Sequence, residues 1–154
     1  MEAVRDYPRP PALVPTTRRV RIELAGETIA ESGAALRVLE TASPPTIYVP
    51  LTDVRPGVLV PSGHRQTFCE WKGPTSYYDI VVGDRRVQAG AWYYPEPVEA
   101  YAALRDHVSF YPGRVDGAYL DDELVRPQDG DFYGGWITAD IEGPFKGAPG
   151  TLHW

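Results

Sequence analysis

A chain of 154 residues fits one domain, and folding at this length buries roughly 70% of the surface an unfolded chain exposes, while its ordinary apolar and charged fractions exclude a disordered or fibrous protein. The formal charge of −6, from 21 acidic and 15 basic residues, opposes contact with the phosphates of nucleic acid or with an anionic membrane. One cysteine, Cys69, excludes an internal disulfide and a structural zinc site built from several thiolates; with no basic-then-apolar leader and no run of about 18 apolar residues, the sequence reads as cytoplasmic.

The 16 prolines and 15 glycines follow no period, which points to many short strands joined by tight turns. Residues 1–17 carry Pro8, Pro10, Pro11 and Pro15 and are expected to run extended along the surface as an N-terminal arm, ahead of a single β-rich domain over 18–154. Arg19 to Leu24 alternates charged and apolar residues, the pattern of a strand with one wet and one dry face; Ala25-Gly26-Glu27 turns it into Thr28 to Glu31. Strand candidates follow at Ala35–Glu40, Thr46–Val49 and Gln66–Lys72, with one helical turn at Leu51–Arg55. A second hairpin joins Tyr78–Val82 to Arg85–Gln88 through Gly83-Asp84, and Ala91–Tyr94 is a further strand. Val98, Tyr101, Ala102 and Leu104 lie near helical spacing and predict one short helix over Glu96–Asp106. Val108–Tyr111 and a third hairpin, Ala118–Leu120 to Glu123–Val125, complete a mainly β, antiparallel fold.

The aromatic residues cluster in these strands. Neighbours on a strand point to opposite faces, so runs such as Tyr77-Tyr78 and Trp92-Tyr93-Tyr94 cannot all fill one core. They either complete a thin core with hydroxyls at its rim or line a pocket with a few polar groups. The polar residues lying among them are Arg37 and Glu40 on one strand, Glu70 and Lys72 flanking Trp71, and Lys146 in a second Lys-Gly loop; the echo between Trp71-Lys72-Gly73-Pro74-Thr75 and Phe145-Lys146-Gly147-Ala148-Pro149-Gly150-Thr151 suggests two loops approaching one place. Read as a strand, 70–72 sets Glu70 and Lys72 on one face and Trp71 on the other.

Other chemistry finds little footing. His64, His107 and His153 show no metal-ligand spacing to one another or to Cys69, so no metal and no cofactor are expected. There is no Gly-x-Ser-x-Gly elbow, and Cys69 sits in a strand rather than at a helix N-terminus. Gly134-Gly135 reads as a tight turn or bulge, and Asp121-Asp122-Glu123 as the chemistry of a hairpin tip.

Taken together, Arg37-Val38-Leu39-Glu40-Thr41, Cys69-Glu70-Trp71-Lys72-Gly73 with Tyr77-Tyr78, Ala91-Trp92-Tyr93-Tyr94-Pro95, Phe110-Tyr111-Pro112, Phe132-Tyr133-Gly134-Gly135-Trp136 and Gly143-Pro144-Phe145-Lys146-Gly147 resemble the domain of unknown function 427 family along nearly the whole chain. The resemblance implies a small domain similar to the β-tent type, with antiparallel sheets meeting at an angle over a pocket, and supplies no catalytic residue. Zinc-holding β-tent domains use several cysteines, which this chain lacks. A nucleotidyltransferase label goes with the family, but no Gly-Ser loop followed by an Asp-x-Asp pair is present to hold two metals.

Two uses of the aromatic segments follow. In the first, a cleft lined by Trp71, Tyr78, Trp92, Tyr94 and Trp136 binds a small polar or anionic ligand oriented by Arg37, Glu40, Glu70, Lys72 and Lys146. In the second, Glu70 or Glu40 is a general base and Lys72 an electrostatic stabiliser. A protein-interaction surface around the arm and Trp154 is a third use, and the chain is either a monomer or a homodimer.

Overall fold

A computed structural model describes residues 1–69, 71–129 and 133–146. Its strands are β1 (Glu2–Ala3), β2 (Ala12–Pro15), β3 (Val20–Leu24), β4 (Glu27–Ser32), β5 (Leu36–Leu39), β6 (Thr46–Pro50), β7 (Leu59–Pro61), β8 (Thr67–Cys69), β9 (Gly73–Val82), β10 (Arg85–Tyr93), β11 (His107–Phe110), β12 (Gly117–Leu120), β13 (Glu123–Leu124), β14 (Arg126–Pro127), β15 (Trp136–Ile137) and β16 (Ile141–Glu142). They form a large antiparallel sheet in the order β2-β5-β6-β11-β10-β9-β7 with β8 added on β9, and a four-stranded sheet in the order β13-β12-β3-β4. All three expected hairpins form. Two of them turn through left-handed residues, Ala25-Gly26 and Asp121-Asp122, the backbone that matches strand twist in a two-residue loop.

The two sheets share one core. Val20, Ile22 and Leu24, alternating with Arg21 and Glu23, meet Ile47, Val49, Ile80, Val82, Ala91, Val108 and Phe110 of the large sheet, and Trp136 closes the cluster. The opposite face of the large sheet carries a second cluster: Val38, Tyr48, Tyr77, Ala89, Trp92, Tyr94, Tyr101, Leu104 and Tyr111. Period-two alternation therefore divides the adjacent aromatics, sending Phe110 into the inter-sheet core and Tyr111 to the outer cluster.

The helix expected over 96–106 does not form. Only the 3-10 segment Glu99–Leu104 is present, and Tyr101 interrupts it with φ of −119°. Pro95 and Pro97 remove backbone donors ahead of it, and only Tyr101 and Leu104, three residues apart, are buried, while Val98 stays 47% exposed. One three-residue turn is all that the burial requires. The Tyr101 hydroxyl donates to the Pro11 carbonyl at 2.7 Å, tying this turn to the N-terminal segment.

That segment is built into the domain. β2 pairs with β5 at the sheet edge, where Pro15 does not interrupt a central ladder, and β1 pairs in parallel with β16. Val4 and Tyr7 bury against Ile141, and Arg37 clamps Glu2 at 2.8 Å while the Tyr7 hydroxyl donates to the same carboxylate at 2.6 Å. Arg37 and Tyr7 hold the Glu2 carboxyl below its ordinary range. No helix among the described residues is long and apolar enough to cross a membrane.

Candidate functional site

On the outer face of the large sheet the second aromatic cluster encloses a cavity of about 220 Å³. Its walls come from alternate positions of the central strands: Val38 and Glu40 from β5 and the residue just past it, Tyr48 from β6, Thr75 and Tyr77 from β9, Trp92 and Tyr94 from β10 and its end, and Tyr111 after β11. β8 supplies Thr67, Phe68 and Cys69 at one side; Gln128, Tyr133, Gly134 and Lys146 close the other.

The rings meet at angles. Tyr48 stands edge-on to Trp92 at 5.9 Å and 85°, and Trp92 tilts against Tyr111 at 4.6 Å. Their polar atoms form directed chains. Trp92 Nε1 donates to the Tyr48 hydroxyl at 3.2 Å, and the Tyr94 hydroxyl, itself served by Thr75, is also hydrogen-bonded to Tyr48. On the other side Tyr111 bonds to Tyr77, whose hydroxyl lies 2.7 Å from Thr67 Oγ1. Burial raises Tyr94 and Tyr111 above the ordinary phenol range, so both are neutral at physiological pH.

Lys72 is the charged centre. It sits in the turn between β8 and β9, not on a strand, and Gly73 beside it has φ of +112°, a conformation that favours glycine. The Lys72 side chain is only 8% exposed; its Nζ lies 3.7 Å from Glu40 Oε1 and 5.9 Å from the centre of the Tyr94 ring. Burial opposes its charge, but Tyr48, Cys69 and Glu40 around it outweigh that effect and hold the ammonium above the usual lysine value. The second lysine, Lys146, lies over the Tyr133 ring at 5.8 Å. Its main chain is fastened by Lys146 N to the Ala42 carbonyl at 2.7 Å and by Gln128, whose amide donates to the Lys146 carbonyl while its oxygen accepts from Gly135 N at 3.1 Å.

A structural chain supports the Tyr111 wall. β10 bulges between Val87 and Ala91, and Ala89 adopts φ of +48° with its backbone groups turned out of the ladder. The buried carboxylate of Asp79 accepts Ala89 N–H at 2.8 Å, and Arg114 donates to the Ala89 carbonyl at 2.6 Å while its guanidinium lies 3.9 Å from the centre of the Tyr111 ring. The Ala89 N–H, then Ser62 and Arg86, hold Asp79 below its ordinary value.

Of the residues singled out in the sequence, Glu40, Lys72, Trp92, Tyr94 and Lys146 line this cavity, so the two Lys-Gly segments bring their lysines to one place. The rest divide. Arg37 and Trp136 border a separate cavity of about 260 Å³ beside the N-terminal strands, where Arg37 holds Glu2, and Trp136, 1% exposed, bonds the Phe110 carbonyl at 3.1 Å as core. Tyr78 turns to the inter-sheet side and stacks on Tyr93 at 4.2 Å. Trp71 lies in the turn, 37% exposed and off the cavity wall, because 71–72 leave the strand and the expected face alternation ends. Glu70 lies outside the described residues, as do Gly147 to Trp154.

Residue-type reasoning passed over Tyr48, Thr75, Tyr77, Tyr111, Gln128, Tyr133 and Cys69. Parity held the missing signal for two of them: 75 and 77 are a same-face pair, as are 38 and 40 and 92 and 94. Gly134-Gly135 also takes a different meaning. Neither residue has the left-handed backbone of a tight turn; a methyl at Gly134 would overlap the Trp92 ring, and one at Gly135 would meet Gln128 Oε1 at 2.5 Å. These glycines let the main chain lie directly on the cavity wall.

The family model for domain of unknown function 427 matches residues 12–121. The chain belongs to that family. No curated protein matches it. The family region spans β2 to β12 and so contains Glu40, Tyr48, Cys69, Lys72 and the aromatic walls, whereas Gln128, Tyr133 and Lys146 are supplied from beyond it.

Proposed function

We propose that this domain of unknown function 427 protein is a binding module that takes a small anionic ligand in the aromatic cavity, with Lys72 as its anchor. The observation that carries the reading is a buried ammonium facing a cavity with its carboxylate neighbour, Glu40, at 3.7 Å, beyond hydrogen-bond length. A lysine has three N–H donors, of which Cys69 takes one, and a buried charge is unfavourable unless its donors are satisfied. An anion in the cavity completes the set. Tyrosine and tryptophan walls give such a ligand apolar contact while their hydroxyl and indole groups orient it.

The test is a thermal-shift screen of small anions against the wild-type chain and Lys72→Met, with circular dichroism to verify the fold. A ligand raises the wild-type melting temperature in proportion to its occupancy. The same anion leaves Lys72→Met unmoved. If no anion shifts the wild type, or if the variant responds equally, the reading fails. An enzymatic use of the same cavity has one observation in its favour, the convergence of Glu40, Cys69 and Lys72 on one wall. It requires that a ligand found in the screen be consumed over time, with loss of turnover in Glu40→Gln.

A further inference from the structure

Resting on that anion-binding reading, we infer that the ligand is a compact planar monocarboxylate that enters carboxylate-first, its two oxygens meeting the Lys72 ammonium and the Tyr48 hydroxyl, with its ring or short apolar body between the aromatic walls. Three features of the cavity lead to this class, each narrowing a different property of the ligand.

The first is charge. Among the described lining residues Lys72 and Lys146 are cationic and Glu40 is acidic, one positive charge in excess, within a chain of net −6. A monoanion balances that excess. A phosphate dianion or a nucleoside polyphosphate brings further charge into a largely desolvated space with no cation to meet it, and burying an uncompensated charge is strongly unfavourable. The field of the whole chain repels polyanions as well.

The second is size. A cavity of roughly 150 Å³ holds one benzene ring, and sites for drug-sized ligands start at about 300 Å³. At about 220 Å³ this cavity buries one ring with a small substituent, and a nucleotide would leave most of its body outside.

The third is the direction of the hydrogen bonds. The indole N–H of Trp92 can only donate, so the Tyr48 oxygen is an acceptor in that 3.2 Å bond, and the bond that favours the protonated Tyr94 hydroxyl makes Tyr94 a second donor to it, so the proton of Tyr48 itself remains to be given elsewhere. Tyr48 and Lys72 both line the cavity and both lie against the Tyr94 ring, the Tyr48 ring centre at 6.1 Å and the Lys72 Nζ at 5.9 Å from its centre. Two donors, one charged and one neutral, therefore face the same cavity around one ring, and a carboxylate presents two adjacent acceptor oxygens. At the other extreme Phe68, 75% exposed, lines the cavity on the β8 side. It offers an apolar contact for the body of the ligand at the mouth of the cavity.

The experiment is isothermal titration of the 154-residue chain with benzoate, its neutral isostere benzamide, phenyl phosphate and AMP, repeated on Lys72→Met and on Tyr48→Phe. The expected order is benzoate first, with benzamide at least tenfold weaker. Loss of either donor weakens benzoate about 10- to 100-fold, the range of hydrogen bonds in which one partner is ionised. Phenyl phosphate or AMP binding the wild type more tightly than benzoate, and losing affinity in Lys72→Met, overturns the monocarboxylate while leaving the anion site standing. Benzoate affinity unchanged in Tyr48→Phe overturns the two-donor clamp. Benzamide binding as well as benzoate, or none of the four binding at millimolar concentration, overturns both this inference and the anion-binding reading. If Lys72→Met does not fold, the ligand order and Tyr48→Phe decide the matter alone.

Discussion

Replacing Asp79 tests how the bulge in β10 is held. Its carboxylate, 4% exposed, accepts from Ala89 N at 2.8 Å and from Arg86 at 2.7 and 3.1 Å. Asp79→Ala leaves the Ala89 N–H, in a residue 5% exposed, without an acceptor, which costs about 1–3 kcal/mol. The Arg86 side chain is 53% exposed, so its ion pair adds at most about 1 kcal/mol. The sum is about 1–4 kcal/mol, a fall in melting temperature of roughly 2–15 °C for a chain of this size. Asp79→Asn keeps an oxygen for Ala89 but turns either that oxygen or its amide toward Arg86, and loses about half as much. Urea denaturation across pH separates the carboxylate from generic packing. Because the folded Asp79 carboxyl is held below its unfolded value of about 3.9, its contribution is complete above that value and disappears as pH falls through the lower folded one. The stability gap between wild type and Asp79→Ala should therefore be constant near neutrality and narrow on acidification below about pH 4. A variant within 0.5 kcal/mol of wild type, or a gap that does not change with pH, refutes the reasoning.

Gly134→Ala forces a methyl against Trp92, so it should destabilise by about 1–3 kcal/mol and disturb the near-ultraviolet circular dichroism of the aromatic cluster; an unchanged spectrum with an unchanged melting temperature contradicts the close-packing account. Ser109 lies opposite Trp92 on β11, fully buried, with no hydrogen-bond partner for its hydroxyl among the described residues. Ser109→Ala removes an unsatisfied polar atom and should be neutral or stabilising by up to about 1 kcal/mol in urea titration, so a clear loss of stability would show that the hydroxyl has a partner.

Much of the architecture was legible in strand alternation. Val20, Ile22 and Leu24 against Arg21 and Glu23 give both the strand and its buried face, because a strand exposes its side chains with period two whatever packs on it. The same rule shows that Tyr77 and Tyr78 face opposite ways. It does not say which of the two faces a cavity, since that depends on which sheet covers which side. The 96–106 segment failed for a related reason: helical spacing of apolar residues is a weak signal when two prolines precede it and three-residue spacing buries the same pair.

For the site, composition singled out lysines and aromatics but grouped them too widely. Arg37 on β5 and Glu40 just past its end have opposite parity, so one clamps the N-terminal segment and the other reaches the cavity. Sequence alone determined a mainly β domain, three hairpins and a set of aromatics too numerous for one face, because these follow from local periodicity and turn chemistry. Tertiary structure alone decided that Lys72 leaves its strand, that Gly134 lies on Trp92 and that Tyr48 and a buried ammonium line one cavity. Those relations join residues far apart in the chain, and only packing of the sheet face sets their distances.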